Sequence, residues 1–108
     1  MLIDMRIDTF PPGLLPVFLQ RFEKEGLPIQ LRHCGNLVGY YTTETGVLNQ
    51  TVQLWSYRDA ADRDTRRAAL EADPQWRSFC EFALPLIQHR ENRILKPTAF
   101  STIKETTT

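Results

Sequence analysis

The chain has 108 residues, with 13 basic and 13 acidic side chains and no formal net charge at neutral pH. That length fits one domain, and the balanced charge excludes a nucleic-acid or membrane surface held by bulk electrostatics. No apolar run approaches the ~20 residues that span a bilayer, and Cys34 and Cys80 read as free thiols of a reducing, cytoplasmic protein.

MLIDMRIDTF alternates strictly, with Ile3, Met5 and Ile7 on one side and Asp4, Arg6 and Asp8 on the other. Period-two alternation predicts a strand, which PPG then ends. Leu14, Leu15, Phe18, Leu19 and Phe22 recur at three- and four-residue spacing, the stripe of an amphipathic helix with Pro16 in its first turn. Gly26 and Pro28 interrupt that pattern and predict a kink or a break, after which LPIQLRHC continues on Ile29 and Leu31 as anchors. LVGYYT and TVQLWSY form a hairpin joined by TETGVLN.

RDAADRDTRRAALEA is proline-free and rich in Ala, Arg and Leu, which predicts a second helix capped by Asp59 or Asp62. Asp73-Pro74 restarts the chain as a third helix whose buried face is Trp76, Phe79, Cys80, Ala83 and Leu84, and Pro85 bends or ends it. NRIL, followed by Lys96-Pro97, is the last strand. The order β-α-β-β-α-β predicts an α+β, ferredoxin-like fold: a four-stranded antiparallel sheet with helices on one face. Residues 1–101 form the single domain and 102–108 a short polar tail.

Helices cover one side of such a sheet. Assigning the apolar sets to the helices leaves Asp4, Arg6 and Asp8 on the open side, with Thr51, Gln53, Trp55 and Tyr57 beside them. Pairing through an even-numbered loop adds Val38, Tyr40 and Thr42 to that side and turns Leu37, Gly39 and Tyr41 toward the helices, unless a bulge intervenes. The resulting mixture of charge, amide and large rings predicts a face covered by a second copy of the chain, with a polar pocket inside.

The chemistry available there is limited. His33 and Cys34 are adjacent and His89 stands alone, so no metal-ligand spacing is present and no cofactor is implied. GxSxG and phosphate-cradling glycine motifs are absent. The planar fork of Arg6 suits a carboxylate or enolate, and Asp8 is the candidate base if burial raises its pKa. The competing reading pairs each aspartate with Arg6. Tyr40, Gln53 and Trp55 complete the candidate pocket, with Asn92 as the residue chosen from the last strand.

Several longer strings carry a resemblance. They are MR at 5–6, PPG at 11–13, FEKEGLP at 22–28, GNLVGYYTTETGVLNQ at 35–50, LWSY at 54–57, DPQW at 73–76 and ENRILKPTAFS at 91–101. Over residues 3 to about 101 the chain resembles the NIPSNAP family. The resemblance implies a dimeric α+β barrel, in which two sheets meet face to face around a cavity. It implies no settled reaction. By fold analogy it admits a homodimer that binds a small molecule, a cofactor-independent monooxygenase or isomerase, and a haem-handling barrel. Relatives commonly carry histidine where this chain has Gln53 and tyrosine where it has Asp8. The N-terminal targeting extension of organellar members is missing, which again implies a cytoplasmic home.

Overall fold

The computed structural model describes residues 1–103. The expected polar tail at 102–108 lies outside the described residues from position 104 onward. Strands β1 (Leu2–Thr9), β2 (Leu37–Thr42), β3 (Gln50–Tyr57) and β4 (His89–Leu95) form one antiparallel sheet in the order β2-β3-β1-β4. This is the ferredoxin-like arrangement that the element order predicts. The last strand starts three residues earlier than its NRIL core.

The first helical region runs unbroken from α1 (Leu15–Arg21) through a π-turn (Phe22–Gly26) into α2 (Leu27–His33). A kink or a break was expected at Gly26 and Pro28, and the wider turn replaces it. Pro28 has no N–H, and its ring would press on the carbonyl four residues back in a regular helix. In the π-turn, the Leu27 N–H instead donates to the Phe22 carbonyl, five residues back. Gly26 lies within this turn, where an added Cβ would come within 2.7 Å of the rings of both Phe22 and Phe79. The expected anchor Leu31 is exposed, whereas Gln30 is buried.

Asp59 caps α3 (Ala60–Ala72) by accepting from the Asp62 N–H at 2.8 Å. Asp73 caps α4 (Pro74–Ala83) by accepting from the Gln75 N–H at 2.9 Å, and a single 3-10 turn, Leu84–Leu86, follows around Pro85. Leu84, expected in the buried face of α4, is exposed.

Two apolar clusters fill the space between helices and sheet. Phe10, Phe18, Phe22, Phe79 and Ala83 form one, with Tyr40 packed against it. Ile29, Cys34, Trp55, Tyr57 and Leu70 form the other, with Leu2 and Leu37 packed against it. Tyr40, Trp55 and Tyr57 therefore lie under the helices, which reverses the face assignment made from sequence. Asp4 faces the same way, since it accepts from Arg63 of α3 at 2.8 Å. Cross-strand pairing then places Arg6, Asp8, Thr51, Gln53 and Thr42 on the helix side. Ile3, Met5, Ile7, Val52 and Leu54 point away from the helices. So do Gly39 and Tyr41, and the Tyr41 ring lies over Gly39, where a Cβ would collide with it. A register shift between Leu37 and Gly39 leaves Leu37 on the helix side, opposite Trp55.

Candidate functional site

The polar residues of the sheet's helix side form two lines across the strands. Tyr40, Gln53, Arg6 and Asn92 are successive cross-strand neighbours on β2, β3, β1 and β4. Thr42, Thr51, Asp8 and Arg90 form the next line. Above them lies a cavity of about 680 Å³. Arg6, Asp8, Tyr40 and Gln53 supply its floor, while Phe18, Phe22, Trp76, Phe79 and Ala83 supply apolar walls from the helices. Its polar margin includes Arg67, Arg77, Glu81 and Arg90. The pocket expected on the open face therefore lies between sheet and helices within one copy of the chain.

Of the six residues singled out from the sequence, four line this cavity. The other two support it. Trp55 is buried in the second apolar cluster and donates its indole N–H to Gln53 Oε1 at 2.7 Å. Asn92 accepts from Arg6 Nε at 2.8 Å and donates to Asp4 Oδ1 at 2.7 Å. Asp4 also accepts from Arg63, so Asn92 ties Arg6 to a buried carboxylate that α3 already holds.

Asp8 is 1 % exposed, and both of its oxygens are occupied. Arg90 donates Nε–H to Oδ1 at 2.7 Å and a terminal N–H to Oδ2 at 3.1 Å. The bidentate pair leaves this carboxylate poorly placed to act as a base. It also corrects the alternative reading, since Asp8 pairs with Arg90 of β4 and not with Arg6.

Arg6 is thereby left without a carboxylate partner among the described residues, because Asp4 is taken by Arg63 and Asp8 by Arg90. Burial, with Arg90 and Arg67 adding repulsion, pushes its pKa down to about 10. The Tyr40 phenol is pushed well up, chiefly by burial and then by the Asp8 carboxylate, and stays protonated across the physiological range. Its ring packs on Phe22 with centroids 5.0 Å apart. Gln53 Nε2 donates to the Tyr40 oxygen at 3.4 Å. The Thr51 hydroxyl beside it is fully buried without a partner in good hydrogen-bonding geometry.

Most lining residues escaped the sequence reading as pocket residues, Arg90 and Gln30 among them. Gln30 of α2 is 4 % exposed, and its side chain makes no hydrogen bond to another described residue. Its signal was an amide within the apolar LPIQL run, hidden by the expectation that Leu31 was the anchor. Cys80 also lines the cavity, and burial raises its thiol pKa, which keeps it a thiol. Neither His33 nor His89 reaches the cavity, and the described residues contain no group of three His, Cys, Asp or Glu side chains suited to a metal ion. No helix among them is long and apolar enough to cross a membrane.

The comparisons agree with this architecture. A crystal structure of a NIPSNAP family protein of unknown function from Agrobacterium tumefaciens superposes with a TM-score of 0.94 at 40% identity, covering 96% of this chain and 94% of that one. A putative antibiotic biosynthesis monooxygenase from Nitrosomonas europaea shares the fold, with a TM-score of 0.67 over 90% of this chain and 98% of that one, but only 10% identity. Protein NipSnap homolog 2 of Danio rerio is 36% identical over 74 residues, which are 68% of this chain and 26% of that protein. The chain spans about a quarter of the length of such curated relatives. The NIPSNAP family description matches residues 3–102, nearly the whole chain, and on that match the chain belongs to the NIPSNAP family.

Proposed function

We propose that this protein is a homodimeric α+β domain that binds a small molecule in the cavity between its sheet and its helices. One observation carries the reading: polar groups without partners are gathered in a largely apolar recess. Arg6 has spare donors and Gln30 has an unmatched amide, while Phe22, Trp76 and Phe79 wall the same space. Unsatisfied buried polar groups are costly unless water or a ligand meets them. The volume suits one small ligand.

The other side of the sheet supports the dimer. Met5, Ile7, Val52 and Leu54 form a contiguous apolar surface with no helix over it, and a second copy of the chain would cover it. A cytoplasmic, reducing setting fits the two free thiols.

Turnover by a cofactor-independent monooxygenase or isomerase is the alternative, and it rested on Asp8 as base. The bidentate contact with Arg90 argues for binding instead. A haem-handling role finds no axial histidine in the cavity.

Trp55 and Trp76 are the two tryptophans, and only Trp76 lines the cavity. Small acids and neutral aromatics are therefore screened by NMR of the two indole N–H signals, assigned with Trp76→Phe. Binders should shift the Trp76 signal more than that of Trp55. A panel with no binders, or binders that leave Trp76 unmoved, overturns the reading.

A further inference from the structure

Resting on that binding reading, we propose that the pocket selects a small monoanion: a carboxylate held by Arg6 and the Gln53–Tyr40 pair, attached to a flat apolar body that packs among Phe22, Trp76 and Phe79.

Charge balance is the first argument. Four arginines and three carboxylates line the cavity, which leaves one positive charge in excess. Arg77 and Glu81 are exposed at the margin, so on the cavity floor the unmatched charge is that of Arg6. Asp8 is matched to Arg90 by two hydrogen bonds, and Glu71 approaches Arg67 at 3.5 Å. Arg6 spends only its Nε–H, on the neutral Asn92, so both terminal amino groups of the guanidinium remain without a partner among the described residues. A half-buried cation in this state is stabilised by a matching anion, and a single surplus charge suits a monoanion better than a phosphate dianion.

Donor direction is the second argument. An indole N–H can only donate, so Trp55 fixes Gln53 Oε1 as an acceptor and turns Gln53 Nε2 toward Tyr40. The Tyr40 oxygen then accepts, and its own proton is left to the neighbouring Thr51 hydroxyl or to a ligand. Along the line Tyr40–Gln53–Arg6, the unspent hydrogen-bonding capacity is therefore that of donors, which is what a carboxylate requires. Trp55 acts here as a positioning residue, since it sets the amide without lining the cavity.

The shape of the remaining walls supplies the apolar half. Phe79 lies 5.7 Å from Trp76 and 6.0 Å from Phe22, centroid to centroid, so the helical side offers ring faces and edges in place of further polar groups.

Benzoate and benzamide have nearly the same shape and differ in charge. Titration calorimetry of both against the full chain should show benzoate bound at least about tenfold more tightly. Arg6→Gln should abolish that preference by lowering benzoate affinity more than benzamide affinity, while Arg6→Lys, which keeps the charge without the fork, should retain part of it. Trp55→Phe should narrow the preference by weakening benzoate binding more than benzamide binding. Equal affinities in the natural protein, or a benzoate preference that survives Arg6→Gln, overturn the monoanion proposal and leave the binding reading standing. Failure of both probes to bind overturns both. Circular dichroism of each variant verifies that it is folded, and the Arg6→Lys result decides the proposal if Arg6→Gln does not fold.

Discussion

Along β1, Asp4, Arg6 and Asp8 lie under helices, while their immediate neighbours Met5 and Ile7 have no helix over them. The covered side is held by directional contacts: Arg63 to Asp4, Arg90 to Asp8, and Asn92 bridging Arg6 and Asp4. The other side offers Met5, Ile7, Val52 and Leu54, flanked by Tyr41 and Gly39 on β2 and by Glu91 and Arg93 on β4, with no helix over them. Polar residues are tolerated beneath the helices because most find partners or line a cavity, with the Thr51 hydroxyl as the exception. Apolar residues are tolerated on the other side only if something else excludes water from them. On the proposed function the two sides have different tasks: one shapes a site and the other would join two copies.

The largest effect should come from the helix-side core. Phe79 touches the rings of Phe18, Phe22, Trp76 and Phe82, so Phe79→Ala should lower unfolding free energy by about 3–5 kcal/mol, measured by chemical denaturation. Next, Leu54→Lys places a charge in the proposed dimer surface. It should weaken dimerisation by about a hundredfold, or roughly 3 kcal/mol, while leaving far-UV circular dichroism intact. Sedimentation that finds the natural protein monomeric at micromolar concentration would remove the assigned task of the open face.

A smaller effect tests the polar scaffold. Asp4→Asn weakens the tie to Arg63 and should cost about 1–2 kcal/mol, discounted because Arg63 is partly exposed. The same change should loosen Arg6 through Asn92 and so lower benzoate affinity, whereas a neutral substitution on the open face should not.

The smallest concerns acid. The His33 contact, then the Gln75 N–H, holds the Asp73 carboxyl below its ordinary range, and the Arg58 N–H does the same for Asp62. Depressed carboxylates contribute stability above their unfolded pKa and lose it as pH falls through the folded value. Denaturation midpoints should therefore drop below about pH 4, and Asp73→Asn should flatten that dependence. These groups are at the periphery of both faces, so the drop should be similar for dimer and Leu54→Lys monomer.

Where sequence and structure part company is instructive. Asp59 and Asp73 were legible as caps because capping is local: a side chain meets an N–H two or three residues away. The partition of β1 and β3 into two sets was legible for the same reason, since alternation follows from strand geometry. The grouping of Tyr40 with Gln53 also holds. The error lay in assigning apolar residues to the helices, which presumes that the opposite side meets water. The π-turn was read as a break because Gly and Pro signal an interruption but do not specify whether the helix stops or widens.

The amino-acid sequence by itself determined the element order, the caps, the two alternating side-chain sets and the four polar residues of the cavity floor. Only the tertiary structure decided which set the helices cover, that Arg90 rather than Arg6 holds Asp8, and that Gln30 joins the pocket from above. The physical reason is range. Periodicity and capping are fixed by neighbours a few residues apart, whereas the choice of face and of ion-pair partner depends on contacts such as Asp4–Arg63 and Asp8–Arg90, separated by 59 and 82 residues.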